Sequence, residues 1–388
     1  MKISISLFGK FHAFYMAKAL NNSNYLNKLI TSYPKFLVKP DLPYKKIESL
    51  FFYEILSRFL RFLQKFRIID IDINNYISNL FSKSAATKIG IENDFVISWS
   101  SKSLEIFEKL KNSKTIKILE RGSTHVLFQR DILSEEYKIL GLEEPRFLDN
   151  KNLILKQLKE YELADYISVP SEFVKKSFID YGINEKKIIV INYGIDESQF
   201  PNLSEKKIND KFIILYVGST EVRKGIHYLL NAIKLLKNEN IELHIVGEIS
   251  NFLKSIMPKN KNIKLFGHIK QNQLYKFYNY ADCLVQPAIE EGQSIVQIQA
   301  LFSGTPIIFT KNTGGLDFFH NENITPDVID IRSPKQISDK ILHYINNPKI
   351  LKKNSDEFTK LAKKKLTIDS YGKRLIRKFN EIIKNDNS

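Results

Sequence analysis

Two parallel-sheet domains in tandem, each an α/β unit of the Rossmann type, are what this sequence predicts, on three observations. Short apolar runs alternate with helix-length segments over two separate stretches. Between them, from Asn192 to Asp210, the pattern lapses into Tyr-Gly-Ile-Asp, a proline and scattered charge, the composition of a linker. The length, 388 residues, exceeds what one hydrophobic core usually serves.

In the first stretch the strand-like runs are Lys2–Leu7, Leu29–Ser32, Phe95–Ser98, Thr115–Leu119, Tyr166–Val169 and Ile188–Ile191. In the second they are Phe212–Val217, Glu242–Val246, Ile263–Phe266, Cys283–Gln286, Ile307–Thr310 and Val328–Ile331. Such alternation argues for parallel sheets with crossover helices, whose ligands bind beyond the carboxyl ends of the strands. Two facing domains would then enclose a cleft. The expected divisions are 1–195, 211–365 and a terminal helix over 366–388. Ile337–Lys384 reads as helical and charged, with Pro348 separating two segments.

Composition narrows the class. Apolar content of 43% is ordinary for a globular chain, and no run approaches the roughly 18 residues of a membrane-spanning helix. Ile3–Phe8 is too short for the apolar core of a signal peptide and alternates with serines, which suits a strand. The single cysteine, Cys283, excludes an intrachain disulfide and a Cys-rich metal site, so a cytoplasmic location is expected. The net charge of +16 discriminates poorly, because the lysines are spread through an Ile- and Asn-rich chain with no nucleic-acid signature; no nucleic-acid partner is expected. The strand-end segments carry no Asp-x-Asp or His/Asp ligand cluster of the kind a metal-dependent enzyme uses, so no metal is expected.

Four segments could carry chemistry, and each follows a strand. Glu290–Gly315 reads as loop, helix, turn, buried strand and glycine loop, with Glu291 in the loop and Gln299 in a helix over Val296–Phe302. Gly218 ends the strand Phe212–Val217, and Arg223-Lys224-Gly225 opens a helix reaching about Lys237. Two cations at a helix start compound the positive potential of unpaired N–H groups, which an anion such as a diphosphate would relieve; Arg can bind its oxygens bidentately and Lys acts as a point charge. His125 follows the strand Thr115–Leu119, and Gly9-Lys10-Phe11-His12 follows the first strand. A structural role is the ordinary reading of a lone histidine, and His12 reads equally as packing or as an acceptor contact.

The segment from Glu291 to Gln299 resembles the acid, seven residues, acid pattern of retaining GT-B glycosyltransferases of family 4, with Gln299 in place of the second acid. Arg223-Lys224-Gly225 is similar to that family's diphosphate motif, and Tyr371-Gly372 to a Tyr-Gly pair near its end. The resemblance implies a GT-B fold: two Rossmann-like domains facing an interdomain cleft, acceptor on the first, nucleotide sugar on the second, and a last helix crossing back. It implies transfer from a nucleotide diphosphate sugar, as donor substrate and without a cofactor, to a sugar or lipid-linked acceptor in surface polysaccharide or glycolipid assembly. Glu291 would contact sugar hydroxyls, while the amides of Gln293, Ser294, Ile295 and Val296 approach sugar and phosphate. Gly9 would lie near the phosphates and His125 near the reacting carbon. Gln299 would take the ribose through a neutral carbonyl, a weaker acceptor than an acid. That departure leaves a non-catalytic nucleotide-sugar-binding or scaffold protein as the alternative. A nicotinamide-dependent enzyme is disfavoured by the lack of a complete G-x-G-x-x-G.

Phe51–Phe66 is a basic amphipathic segment, with Phe52, Ile55, Leu56, Phe59, Leu60 and Leu63 on one face and Arg58, Arg61 and Lys65 on another. Its stripe favours packing within the first domain; lying at the inner face of an anionic membrane is the other reading.

Overall fold

The computed structural model describes residues 1–9, 12–38, 42–69, 71–203, 210–236 and 240–386. The first sheet comprises β1 (Ile3–Leu7), β2 (Leu26–Thr31), β3 (Ile47–Ser49), β4 (Phe95–Trp99), β5 (Ile116–Glu120), β6 (Tyr166–Val169) and β7 (Ile188–Val190). Its order is β3-β2-β1-β4-β5-β6-β7, all parallel. The second comprises β8 (Phe212–Val217), β9 (Ile241–Val246), β10 (Ile263–Gly267), β11 (Cys283–Gln286), β12 (Ile307–Thr310) and β13 (Asp327–Ile329), in the parallel order β10-β9-β8-β11-β12-β13. Helices on the sheet faces make the crossovers and bury the strands, which is why these read as continuous apolar runs; β1 and β9 are buried throughout. The strand missing from the sequence reading is β3: three residues at a sheet edge, partly exposed, carry no periodicity to detect.

Both sheets reverse their strand order beside one strand, β1 in the first and β8 in the second. A crevice opens at such a reversal, beyond the carboxyl ends. The last helix, Ile368–Asp386, crosses back to the first sheet: Phe379 stacks on Phe95 with centroids 5.2 Å apart, and Leu375 and Ile382 are buried in the same core. Ile195, at the start of the expected linker, exchanges backbone hydrogen bonds with Leu366 and Ile368 at 2.9 and 3.0 Å, so both crossings between the halves are pinned together. Residues 204–209 of that linker, Lys237 at the expected helix end and 387–388 of the expected terminal helix lie outside the described residues.

The helix Phe52–Lys65 meets the packing expectation in part: Tyr53 packs edge-on against Phe81 of the helix Ile73–Lys88, with ring centroids 6.3 Å apart, but much of the apolar stripe is uncovered. Ser57 is its one buried residue; Phe52, Ile55, Phe59 and Phe62 are exposed, with Phe66 beyond the end, along one stripe. Only the face carrying Tyr53, Leu60 and Leu63 is partly covered. Among the described residues no helix is long and apolar enough to cross a membrane.

Candidate functional site

A cavity of about 1240 Å³ lies where the carboxyl ends of the two sheets face each other, lined by His12, Trp99, Glu120 and Arg121 from the first half and Arg223 and Glu291 from the second. A side pocket of about 390 Å³ opens at Gly218, Arg223, Lys224 and Glu291.

In that pocket Arg223 and Lys224 lie on a short 3-10 turn, Val222–Lys224, and not on the helix itself, which begins at Ile226. Gly225 between them is left-handed, with φ +67°, and a Cβ there would meet the carbonyl oxygen of Pro287 at 1.9 Å, so only glycine permits this approach. Lys224 pairs with Glu291, and Arg223 Nη1 lies 3.6 Å from the same carboxylate and 3.2 Å from that of Glu290. Burial pushes the Glu291 carboxyl up, but Lys224 and Arg223 outweigh it and hold it below the ordinary value. For the Arg223 guanidinium burial is likewise overcome, by Glu291 and Glu290, and its pKa rises.

The loop that carries Glu291 is clamped to the first half. Glu290, fully buried, accepts from Thr124 N (3.0 Å), Thr124 Oγ1 (2.9 Å), Gln129 Nε2 (2.8 Å) and Arg223 Nη1 (3.2 Å). A Cβ on Gly292 would sit 1.9 Å from Gly122 O, so the two loops touch through glycine. Ser294 stands at the N-cap position of the helix Ile295–Phe302 without a side-chain capping bond, and Gln293, Ser294, Ile295 and Val296 all line the pocket. Gln299 also lines the large cavity, but its Oε1 accepts from Tyr278 Oη at 2.8 Å, so the carbonyl expected at a ribose is already engaged.

Two expected residues are not brought to the cleft. His125 is 1% exposed and does not line it: the ring is enclosed by Tyr161, Phe178 and Tyr181, with Tyr181 stacked at 5.0 Å. Its Nδ1 accepts from Leu127 N, capping the helix Val126–Ile139, and burial followed by the charge of Arg121 lowers its pKa to about 4. The placement near a reacting carbon is therefore corrected: His125 is a neutral capping residue in an aromatic core. Gly9, with φ +91°, donates its N–H to Ser32 Oγ at 2.9 Å and accepts from Thr31 Oγ1, so its amide serves the loop and not an anion. Lys10 and Phe11 lie outside the described residues.

The histidine that does face the cavity is His12, whose Nε2 is 3.1 Å from Glu120 Oε1. Its ring lies on Tyr193, centroids 4.0 Å apart, beside Trp99 at 5.4 Å. Sequence reasoning passed over Glu120, Glu290 and Tyr193. An acid closing a buried parallel strand was the available signal for Glu120; the pairing of Glu290 and Tyr193 across the halves has no local signature.

Residues 199–365 match the family model described as glycosyl transferases group 1. The chain is similar to the capsular polysaccharide biosynthesis glycosyltransferase CapM of Staphylococcus aureus, 26% identical over 60% of this chain and 65% of that one. It is also similar to the lipopolysaccharide 1,2-N-acetylglucosaminetransferase of Salmonella typhimurium, 26% identical over 58% and 64%. The matched stretch thus spans less than two thirds of either relative's length. Among solved structures, sucrose-phosphate synthase of Thermosynechococcus elongatus aligns with TM-score 0.71 at 14% identity, covering 99% of this chain and 100% of that one. Anabaena HepE in complex with UDP-glucose aligns with TM-score 0.67 at 12% identity, covering 98% and 100%. In fold the chain is therefore a GT-B protein, two Rossmann-like halves about a shared cleft, whose second half carries the match to the glycosyl transferases group 1.

Proposed function

We propose that this protein transfers a sugar, with retention of anomeric configuration, from a nucleotide diphosphate sugar to an acceptor hydroxyl in surface polysaccharide or glycolipid assembly. One observation carries the reading: Arg223 and Lys224 converge on Glu291 in a cleft pocket beside Gly218. In the structure the Glu291 carboxylate engages both cations. A diphosphate competes for them, and the displaced Glu291 is then free to accept hydrogen bonds from sugar hydroxyls. As the bond from the anomeric carbon to phosphate breaks, Arg223 and Lys224 stabilise the charge left on the diphosphate. The acceptor oxygen bonds to the carbon from the same face, and its proton passes to a donor phosphate oxygen. These two cations take the neutralising role without a metal, so activity should be insensitive to chelators. The relatives named for capsular polysaccharide and lipopolysaccharide synthesis, and the UDP-glucose held by HepE, support the reaction class.

Calorimetric titration of UDP, GDP and ADP into wild type and Lys224→Ala tests the reading. Losing a charge-assisted contact worth about 1.5–3 kcal/mol should weaken the preferred nucleotide roughly tenfold or more, with unchanged circular dichroism. Undiminished affinity and transfer would remove the phosphate role. A second reading, nucleotide-sugar binding without turnover, is favoured by the engagement of Gln299 with Tyr278. Neither transfer nor donor hydrolysis with membrane extracts would select it.

A further inference from the structure

We infer that an anionic lipid bilayer seats the first half of this protein at two points: the helix Phe52–Lys65, and the short helix Lys35–Val38 together with the 3-10 turn Tyr44–Lys46. The inference stands apart from the transfer reading and does not depend on it. Phe36 and Leu37, on the short helix, are 69% and 48% exposed, and Tyr44, on the turn, is 55% exposed. Their neighbours Val38 and Leu42 are buried in the core of the first half, so this stretch is anchored with the three large side chains left outside.

The two points are neighbours. β2 and β3 pair Thr31 with Ser49, Leu50 N donates to Thr31 O at 2.8 Å, and Ser49 Oγ donates to Tyr33 O at 2.7 Å. The chain therefore leaves the two strands, toward Lys35 and toward Phe52, about one strand spacing apart, roughly 4.8 Å. Lys35 Nζ lies 5.0 Å from the centre of the Tyr44 ring, which ties the short helix to the turn. All three elements gather round β3, the edge strand of the first sheet, and the long helix carries the exposed Phe52, Phe59 and Phe62 onward over about 21 Å. Both helices start from carboxyl strand ends, the ends at which the cleft opens. Phe8, which follows β1 and lines the cavity, meets Phe81 edge-on at 5.5 Å, and Phe81 in turn meets Tyr53 of the long helix.

Charge selects the occupant. From 35 to 67 the sequence carries eight lysines and arginines against three acids, so two copies meeting through this surface would set like charges against each other. An anionic bilayer matches both features. The aromatic and aliphatic side chains enter the boundary between headgroups and acyl chains, while the long cationic side chains keep their charged ends at the headgroups. A helix lying alone in the interface sets depth and leaves the molecule free to roll about the helix axis. A second point beside its start fixes that roll, and with it the direction in which the cleft faces the bilayer.

The test is site-directed spin labelling of the full chain at Phe36→Cys, Tyr44→Cys, Phe62→Cys and, as a control, Leu155→Cys on the exposed face of the helix Lys151–Leu163. The one native thiol, Cys283, is buried, so a nitroxide attaches at the introduced cysteine alone. With vesicles of phosphatidylglycerol and phosphatidylcholine, collision with a water-soluble nickel chelate should fall roughly fivefold or more at Phe36, Tyr44 and Phe62 and stay unchanged at Leu155. Phe36→Asp combined with Leu37→Asp should weaken vesicle affinity roughly tenfold at an unchanged melting temperature. Labels at Phe36 and Tyr44 that stay in water while the one at Phe62 is shielded would confine docking to the long helix and overturn the proposal. Spin–spin broadening at these sites without vesicles would overturn it too, by assigning the surface to a second copy. So would equal shielding by phosphatidylcholine alone, which removes the role of the cations, and so would vesicles that alter none of the labels.

Discussion

At the residue scale, environment decides which of two histidines meets the cleft. His125 shares its strand end with Glu120, but five residues of loop carry it past the opening into the aromatic group of Tyr161, Phe178 and Tyr181. Its pKa of about 4 when folded, against 6.5 otherwise, makes it a stability switch. Between those values the unfolded chain binds the extra proton. Stability is therefore complete above about pH 6.5 and falls as the pH drops toward 4, by roughly 3 kcal/mol across the window. His125→Asn keeps an N-cap acceptor and should remove this slope, read as the difference between variant and wild-type denaturation curves at pH 7, 5.5 and 4.5. An identical slope would show that His125 is not the group responsible. At Gln299, a glutamate could keep the Tyr278 hydrogen bond through one oxygen and offer a charged second oxygen to the ribose. Gln299→Glu should raise nucleotide affinity about tenfold, since charge-assisted hydrogen bonds are roughly twice as strong as neutral ones. No change by calorimetry would detach Gln299 from the ribose.

At the scale of elements, the helix Phe52–Lys65 stands out because its sequence and its setting disagree. Amphipathicity predicts a packed stripe, yet Phe52, Ile55, Phe59, Phe62 and Phe66 face outward, flanked by Arg58, Arg61 and Lys65 and by a single acid, Glu54. An exposed apolar face this continuous is unusual on a lone soluble domain. Its rim of cations suits an anionic bilayer at which a lipid-linked acceptor would be presented. The protein should cosediment with vesicles containing phosphatidylglycerol, less so at high salt, and weakly with phosphatidylcholine alone. Changing Phe59 and Phe62 together to Asp touches only exposed positions, so it should lower binding at least tenfold without altering the melting temperature. Equal binding by the variant would assign the stripe to another partner. The pocket loops, by contrast, were legible as elements: glycines, a cationic turn and a loop acid each follow a strand end, where parallel sheets place ligands.

At the scale of the whole molecule, the halves are held by buried polar contacts as well as by the returning helix. Glu136, on the helix Val126–Ile139 of the first half and fully buried, meets His227 Nε2 at 2.9 Å, Tyr228 Oη at 2.8 Å and Arg332 Nε at 2.6 Å from the second. Burial raises its pKa, but these three hydrogen bonds outweigh that and hold the carboxylate ionised. Arg332→Ala should cost about 1.5–3 kcal/mol, the worth of a hydrogen bond to a charged group, and let the cleft open. Small-angle scattering would then show a larger radius of gyration. An unchanged radius and stability would mean that the contact does not hold the closed form.

The sequence by itself determined the number and direction of most strands, the parallel class of both sheets and the position of a dicationic turn and a loop acid, each after a strand. These follow from local periods and from turn residues that act within a few positions. What only the tertiary structure decided is which side chains share the space at the strand ends. Glu120 with His12, Glu290 with Thr124, and Tyr193 with Gln293 are brought together from distant parts of the chain by the packing of one half on the other. The same packing encloses His125 and leaves the aromatic face of Phe52–Lys65 uncovered. Burial and charge at those points are sums over neighbours that no stretch of sequence contains.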